Sequence, residues 1–196
     1  MSTTTTSPEN LIAGLWPERV ETRWVRAVAL AIGGSLLLTL SAKVQVPFWP
    51  VPMTMQTFAV LVIAMAFGPR LGVATVLLYL AEGALGLPVF AGTPERGNGL
   101  AYMTGPTGGY LAGFLAATAL MGWLTMRGWD RRVMTTLAAM VLGTLVIFGL
   151  GYAWLAGLIG LAKAWQFGVL PFLPGAALKI TLAGILLPAA WRLMNR

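Results

Sequence analysis

LGLPVFAGTPERGNGLAYMTGPTGGY, residues 85–110, is the stretch on which the reading of the chain turns. It holds seven Gly and three Pro, so no regular helix can run through it, yet long apolar segments flank it on both sides. A connection of this length between two such segments calls for a function. In hydrocarbon an unpaired N–H or C=O is costly, so irregular backbone persists there only where protein buries it or water reaches it. The stretch is therefore a candidate binding loop.

The rest of the composition supports a lipid setting. The 196-residue chain is 58% hydrophobic and 10% charged, with a mean hydropathy of +0.80, whereas about a quarter of a soluble domain is charged. Long apolar runs punctuated by Pro, Gly and Arg fit one polytopic helical bundle better than a β-barrel, whose strands would alternate. Cys and His are both absent, which removes disulfides, thiolate metal sites and most hydrolytic or redox mechanisms. Six carboxylates and a few hydroxyls remain for chemistry, so catalysis is not expected, nor is a metal or a cofactor. The net charge of +7 sits mostly at the ends of apolar runs, where membrane orientation explains it better than nucleic acid does.

Taken in order, residues 1–22 read as a cytoplasmic tail, disordered or interfacial, and residues 23–196 as the membrane domain. Six spans are expected at 23–42, 53–67, 71–87, 108–126, 133–155 and 172–193. Residues 43–52, with Pro47, Pro50 and Pro52, form an extended linker, and 156–170 a Gly-rich connection. With both termini cytoplasmic, nine Arg fall on the inner side and only Lys43, Arg96 and Lys163 on the outer. That is the positive-inside bias, and it puts the three long connections on the outer face.

Lys179 lies seven residues into the last apolar run, where an ammonium must be paired or reach water. Three roles stand for it: snorkelling to the interface, pairing with Glu82 as the one acidic residue within a span, or awaiting an anionic ligand. Gln56 and Thr54 at the start of the second span, Tyr79 in the third, and Arg96 and Asn98 in the loop are further polar candidates. Thr54 is equally suited to capping its helix. Phe90 and Tyr110 offer flat apolar surface, and Thr107 stands in the GPTGG entry to the fourth span, where helix N–H groups favour an anion. No P-loop with its Lys occurs. Ala27, Ala31 and Ser35 make a smooth strip on the first span, suited to packing within the bundle or to docking a partner.

VPFWPVPMTMQTF (46–58), FGPRLG (67–72), YLAEGALGLPVFAG (79–92), GPTGGYLAGF (105–114) and PFLPGAALK (171–179) together resemble the BioY family, over residues 24–193. These are the biotin-specific substrate-binding (S) components of energy-coupling factor (ECF) transporters. The resemblance implies a six-helix S component in the bacterial inner membrane that binds biotin near the outer surface. It also implies a partner module of one transmembrane T subunit and two ATPases, unless the chain works alone or as a self-oligomer. The family's Ala-x-x-x-Ala docking signature looks like Ala27 and Ala31, while the Asp of its PGDxxK pattern is replaced here by Ala176. Biotin's carboxylate suits Lys179 or Arg96, and its ureido group suits Gln56 and Asn98. The sequence does not say which end of the ligand meets which residue.

Overall fold

The computed structural model describes residues 10–16, 22–46, 49–92 and 99–194. Helix dominates, as it must where backbone groups have no water to pair with. The elements are α1 (Leu11–Leu15), α2 (Arg23–Lys43), β1 (Gln45–Val46), β2 (Met53–Thr54), α3 (Gln56–Ala84), α4 (Leu100–Met103), α5 (Gly108–Met126), α6 (Val133–Ile159), α7 (Leu161–Gly168) and α8 (Leu173–Met194), with a 3-10 turn at Leu170–Phe172 before α8. Five helical segments are long and apolar enough to cross a membrane: Arg23–Lys43, Gln56–Ala84, Gly108–Met126, Val133–Ile159 and Leu161–Met194.

The segment α3 is not straight. Gly68 has φ 78° and ψ −177°, a left-handed conformation that suits Gly, and Pro69 has no N–H to continue the ladder. A straight helix would hold Gln56 and Tyr79 about 35 Å apart at about 1.5 Å per residue. Instead, the Gln56 Nε2 donates to the Tyr79 hydroxyl at 2.6 Å, and a Cβ built on Gly72 would lie 3.3 Å from the Ala64 backbone. The two arms, 56–67 and 69–84, therefore fold back as a hairpin. The expected break at Gly68 and Pro69 is present, and the helix starts at Gln56 rather than at residue 53.

The linker's Gln45 and Val46 are extended, as expected, and pair antiparallel with Thr54 and Met53, pinning the start of α3. Two expectations from sequence are corrected. The binding loop holds one helical turn, Leu100–Met103, and residues 161–168 are helical where a Gly-rich connection is expected. Within the tail, Asn10 caps α1 by accepting from the Ala13 N–H at 2.9 Å, and α1 packs on α3 and α8 with Leu11 buried.

α5 is the centre of the bundle and the most deeply buried of the long apolar helices. It packs between the α3 hairpin and α6, and small residues allow the approach. A Cβ on Gly113 would lie 2.9 Å from the Ile147 Cα, and one on Gly122 would overlap Pro69. At the end opposite the binding loop, the fully buried Asp130 accepts from the Trp191 Nε1 at 2.6 Å, joining the α5–α6 turn to α8. Burial pushes the Asp130 carboxyl above its ordinary value, against the opposing pull of the Trp191 hydrogen bond and of Arg131.

Candidate functional site

A cavity of about 550 Å3, counted to its open mouth, lies at the loop end between α3, α5, α6 and α8. Phe114, Phe148 and Phe172 supply apolar wall from three elements, and Tyr102 adds a ring from α4. The polar lining comes from Thr54, Gln56, Thr57, Thr107, Tyr110 and Lys179.

The hydrogen-bond network fixes how Gln56 faces the cavity. Tyr79 has a single hydroxyl proton, and it goes to the Val89 carbonyl at 3.1 Å. The Tyr79 oxygen can then only accept, so the Gln56 NH2 must point toward it. The Gln56 amide oxygen is left for the cavity, as an acceptor for a ligand N–H. Gln56 is itself held at the helix start, where its backbone N–H donates to the Thr54 hydroxyl at 3.2 Å. The N-cap position itself is Met55, so Thr54 stands one residue before it and lines the cavity.

Lys179 does not pair with Glu82. Its ammonium donates to the Thr54 carbonyl at 2.5 Å and to the Thr57 hydroxyl at 3.0 Å. Glu82 instead accepts from the Ser35 hydroxyl, between α2 and α3. An ammonium carries three donors, so one N–H of Lys179 remains for the space it lines. No carboxylate lines the cavity among the described residues. The charge is therefore stabilised by neutral oxygens and remains open to an anion.

The other candidates divide by position. Tyr110 lines the cavity and donates to the Gly168 carbonyl at 2.6 Å, tying α5 to α7, and Thr107 stands at the start of α5 beside it. Tyr79 and Phe90 lie one layer behind. Phe90 stacks on Tyr102 with centroids 4.9 Å apart and meets the Tyr79 ring edge-on at 5.4 Å. The loop's near end is held by Lys43, which donates to the Phe90 carbonyl at 2.7 Å, and its far end by the Trp154 indole, which donates to the Gly105 carbonyl at 2.9 Å. Arg96 and Asn98 lie outside the described residues. Ser35 turns inward to Glu82, while Ala27 and Ala31 remain half-buried on α2.

Sequence reasoning missed Thr57, Tyr102, Phe114, Phe148 and Phe172. Thr57 had a usable signal, being one residue beyond Gln56 on a helix facing Lys179. The Phe residues had none, because an aromatic on an apolar helix is ordinarily packing.

The fold and this cavity define a helical membrane protein with an open-mouthed cavity that joins apolar walls to a cation and several polar groups. The BioY family model matches residues 9–196, and the chain belongs to that family. It is 40% identical over 162 residues to a probable biotin transporter BioY of Pyrococcus horikoshii, covering 83% of this chain and 92% of the relative. It is 34% identical over 175 residues to the biotin transporter BioY of Rhizobium etli, covering 85% and 92%. Among solved structures, the S-component for biotin from an ECF-type ABC transporter superposes with a TM-score of 0.75 at 21% identity, covering 91% of this chain and 96% of that one. That likeness is one of fold.

Proposed function

We propose that this chain is a biotin-binding membrane subunit for biotin uptake, acting as the S component of an ECF-type transporter or as a solitary transporter. The observation that carries the reading is the joining, in one cavity, of the Gln56 acceptor with a Lys179 ammonium that has no carboxylate partner among the described residues. Biotin brings a ureido N–H for the first and a carboxylate for the second, with an apolar ring and chain for the Phe walls. Membership of the BioY family and relatives named as biotin transporters support the same ligand. Chemistry on the ligand is not part of the reading, and transport belongs to reorientation or loop opening.

In this reading residues 23–196 form six spans, because the two arms of α3 each cross, and both termini face the cytoplasm. The cavity then opens outward and the tight turns face inward, in a bacterial inner membrane. Ala27 and Ala31 are the surface for a transmembrane T subunit, whose module includes two ATPases. Within the site, Thr54, Gln56, Thr107, Tyr110 and Lys179 contact the ligand, Tyr79 and Phe90 support those contacts, and Arg96 and Asn98 act from the loop.

Calorimetric titration of biotin into the detergent-purified chain, with riboflavin and thiamine as competitors, tests the ligand. Saturable one-to-one binding of biotin, undisturbed by the competitors, is the expected result. A folded chain that takes up no biotin, or that yields it to riboflavin or thiamine, refutes the reading.

A further inference from the structure

Adjoining the main cavity is a second, much smaller space between α3, α6 and α8. Thr57, Ala176 and Lys179 line both spaces, so the two adjoin at these three residues. Leu61 and Met140 supply apolar floor, and Thr144 projects from the middle of α6.

Thr144 is the unusual member. It is nine-tenths buried, at 9% exposure, yet its hydroxyl has no hydrogen-bond partner among the described residues. Three other threonines within the helices return their proton to the carbonyl four residues back, Thr75 to Leu71, Thr118 to Phe114 and Thr181 to Ala177, and Thr125 gives its proton to the Met65 carbonyl. The sealed, unpaired polar atoms among the described residues are Arg26 Nε and Asp130 Oδ1, not the Thr144 oxygen, so this hydroxyl faces open space and keeps its proton for whatever enters it. Lys179, on the facing wall, has a third N–H to give. The chamber therefore gathers two donors, one of them charged, and no acidic group lines it among the described residues.

We propose that this chamber is a carboxylate subsite, in which the Lys179 ammonium and the Thr144 hydroxyl receive the acidic end of a ligand whose body occupies the main cavity. A carboxylate has two acceptor oxygens and no proton to place, so it matches a pair of donors where an amide or alcohol would match less well. Ala176 stands where the two spaces adjoin, with only a methyl group between them, and the proposal takes a larger side chain there to bar the ligand's acidic end. The assignment rests on the biotin reading and deepens it. The carboxylate is placed below, near the middle of α6, and the ureido end above, at Gln56.

The test compares biotin with its analogue carrying a methyl group in place of the carboxylate. Dissociation constants are measured for the wild type, Thr144→Val, Thr144→Ser and Ala176→Leu. The wild type is expected to prefer biotin by at least tenfold. Thr144→Val, which keeps the shape and removes the hydroxyl, should cut that ratio at least threefold, and Thr144→Ser should retain it. Ala176→Leu, with Thr144 intact, should lower the ratio as well, so the subsite is still tested if Thr144→Val does not fold. A biotin-to-analogue ratio that is unchanged in Thr144→Val or in Ala176→Leu overturns the subsite while leaving biotin as the ligand. If the folded wild type binds neither compound, the biotin reading falls and the subsite with it.

Discussion

Removing one oxygen atom, in Tyr79→Phe, tests the geometry that makes Gln56 an acceptor. Tyr79 is fully buried, and its hydroxyl accepts from Gln56 while donating to the Val89 carbonyl. The Phe ring fills the same space, so no cavity is added, but two polar groups lose a partner. An unsatisfied buried group costs about 1–3 kcal/mol, and partial relaxation of Gln56 should hold the total near the middle of that range, about 2 kcal/mol of stability. Binding changes for a different reason. The Gln56 amide is no longer held with its oxygen toward the cavity, and the ligand must order it, at about 0.5–1.5 kcal/mol. The expected loss of affinity is about three- to tenfold. Gln56→Leu removes the acceptor itself and should cost about 1–3 kcal/mol of binding. The decisive assay is the double-mutant cycle, with biotin titrated calorimetrically into both single variants and the double. If Tyr79 acts through Gln56, adding Tyr79→Phe to Gln56→Leu should change affinity little. A full additional three- to tenfold loss in that background would refute the argument that Tyr79 is a positioning residue.

Three further outcomes are expected. A Cβ on Gly83 would overlap the Phe90 ring, which stacks on the cavity-lining Tyr102. Gly83→Ala should therefore cost about 1–3 kcal/mol by thermal unfolding and weaken biotin binding, and an unchanged melting temperature would show that the loop yields freely. Burial raises the Asp130 carboxyl above its ordinary 3.8, so the fold favours its protonated form. The stability this confers is present in acid and is lost as pH rises through the elevated value. Asp130→Asn, which mimics the protonated acid, should flatten the pH dependence of the melting temperature, and a variant with the wild-type slope would assign that slope elsewhere. Ala31→Trp should depress cellular biotin uptake while leaving binding to the purified chain intact. Loss of binding in that variant would instead make the half-buried Ala27 and Ala31 a packing seam.

The parts of the fold that were legible in sequence are those dictated by one residue's own chemistry. Gly68-Pro69 breaks α3 because one residue is at home in the left-handed region and the next has no N–H, and both facts are local. The start of α5 at Gly108 follows in the same way from Pro106 and the paired Gly. What stayed hidden depends on partners distant in the chain. The ribbon joining Gln45 to Thr54 is set by where α2 ends and α3 begins, and two-residue strands carry no period to detect. Phe114, Phe148 and Phe172 are ordinary apolar residues until three elements turn them toward one space. Thr144 is silent in sequence because its meaning lies in a hydrogen bond it does not make.

Lys179 shows why the distinction bears on function. Sequence alone offers Glu82 as its natural partner, since each is an expensive charge within an apolar span. Had they paired, the cavity would contain a neutral couple, and an anionic ligand would have to displace a carboxylate already in place. The structure separates them: Glu82 takes a proton donor from Ser35 on α2, and Lys179 rests on the carbonyl of Thr54 and the hydroxyl of Thr57. Two neutral dipoles orient the ammonium without cancelling its charge. They also come from the chain on either side of Gln56, so the residues that position the cation are continuous with the one that presents the acceptor. In the proposed reading, a ligand with an N–H at one end and a carboxylate at the other would meet a single short segment, residues 54–57, that holds both the acceptor and the cation. Displacing that segment should weaken both contacts together, whereas Lys179→Met should weaken only the contact that depends on the ligand's charge.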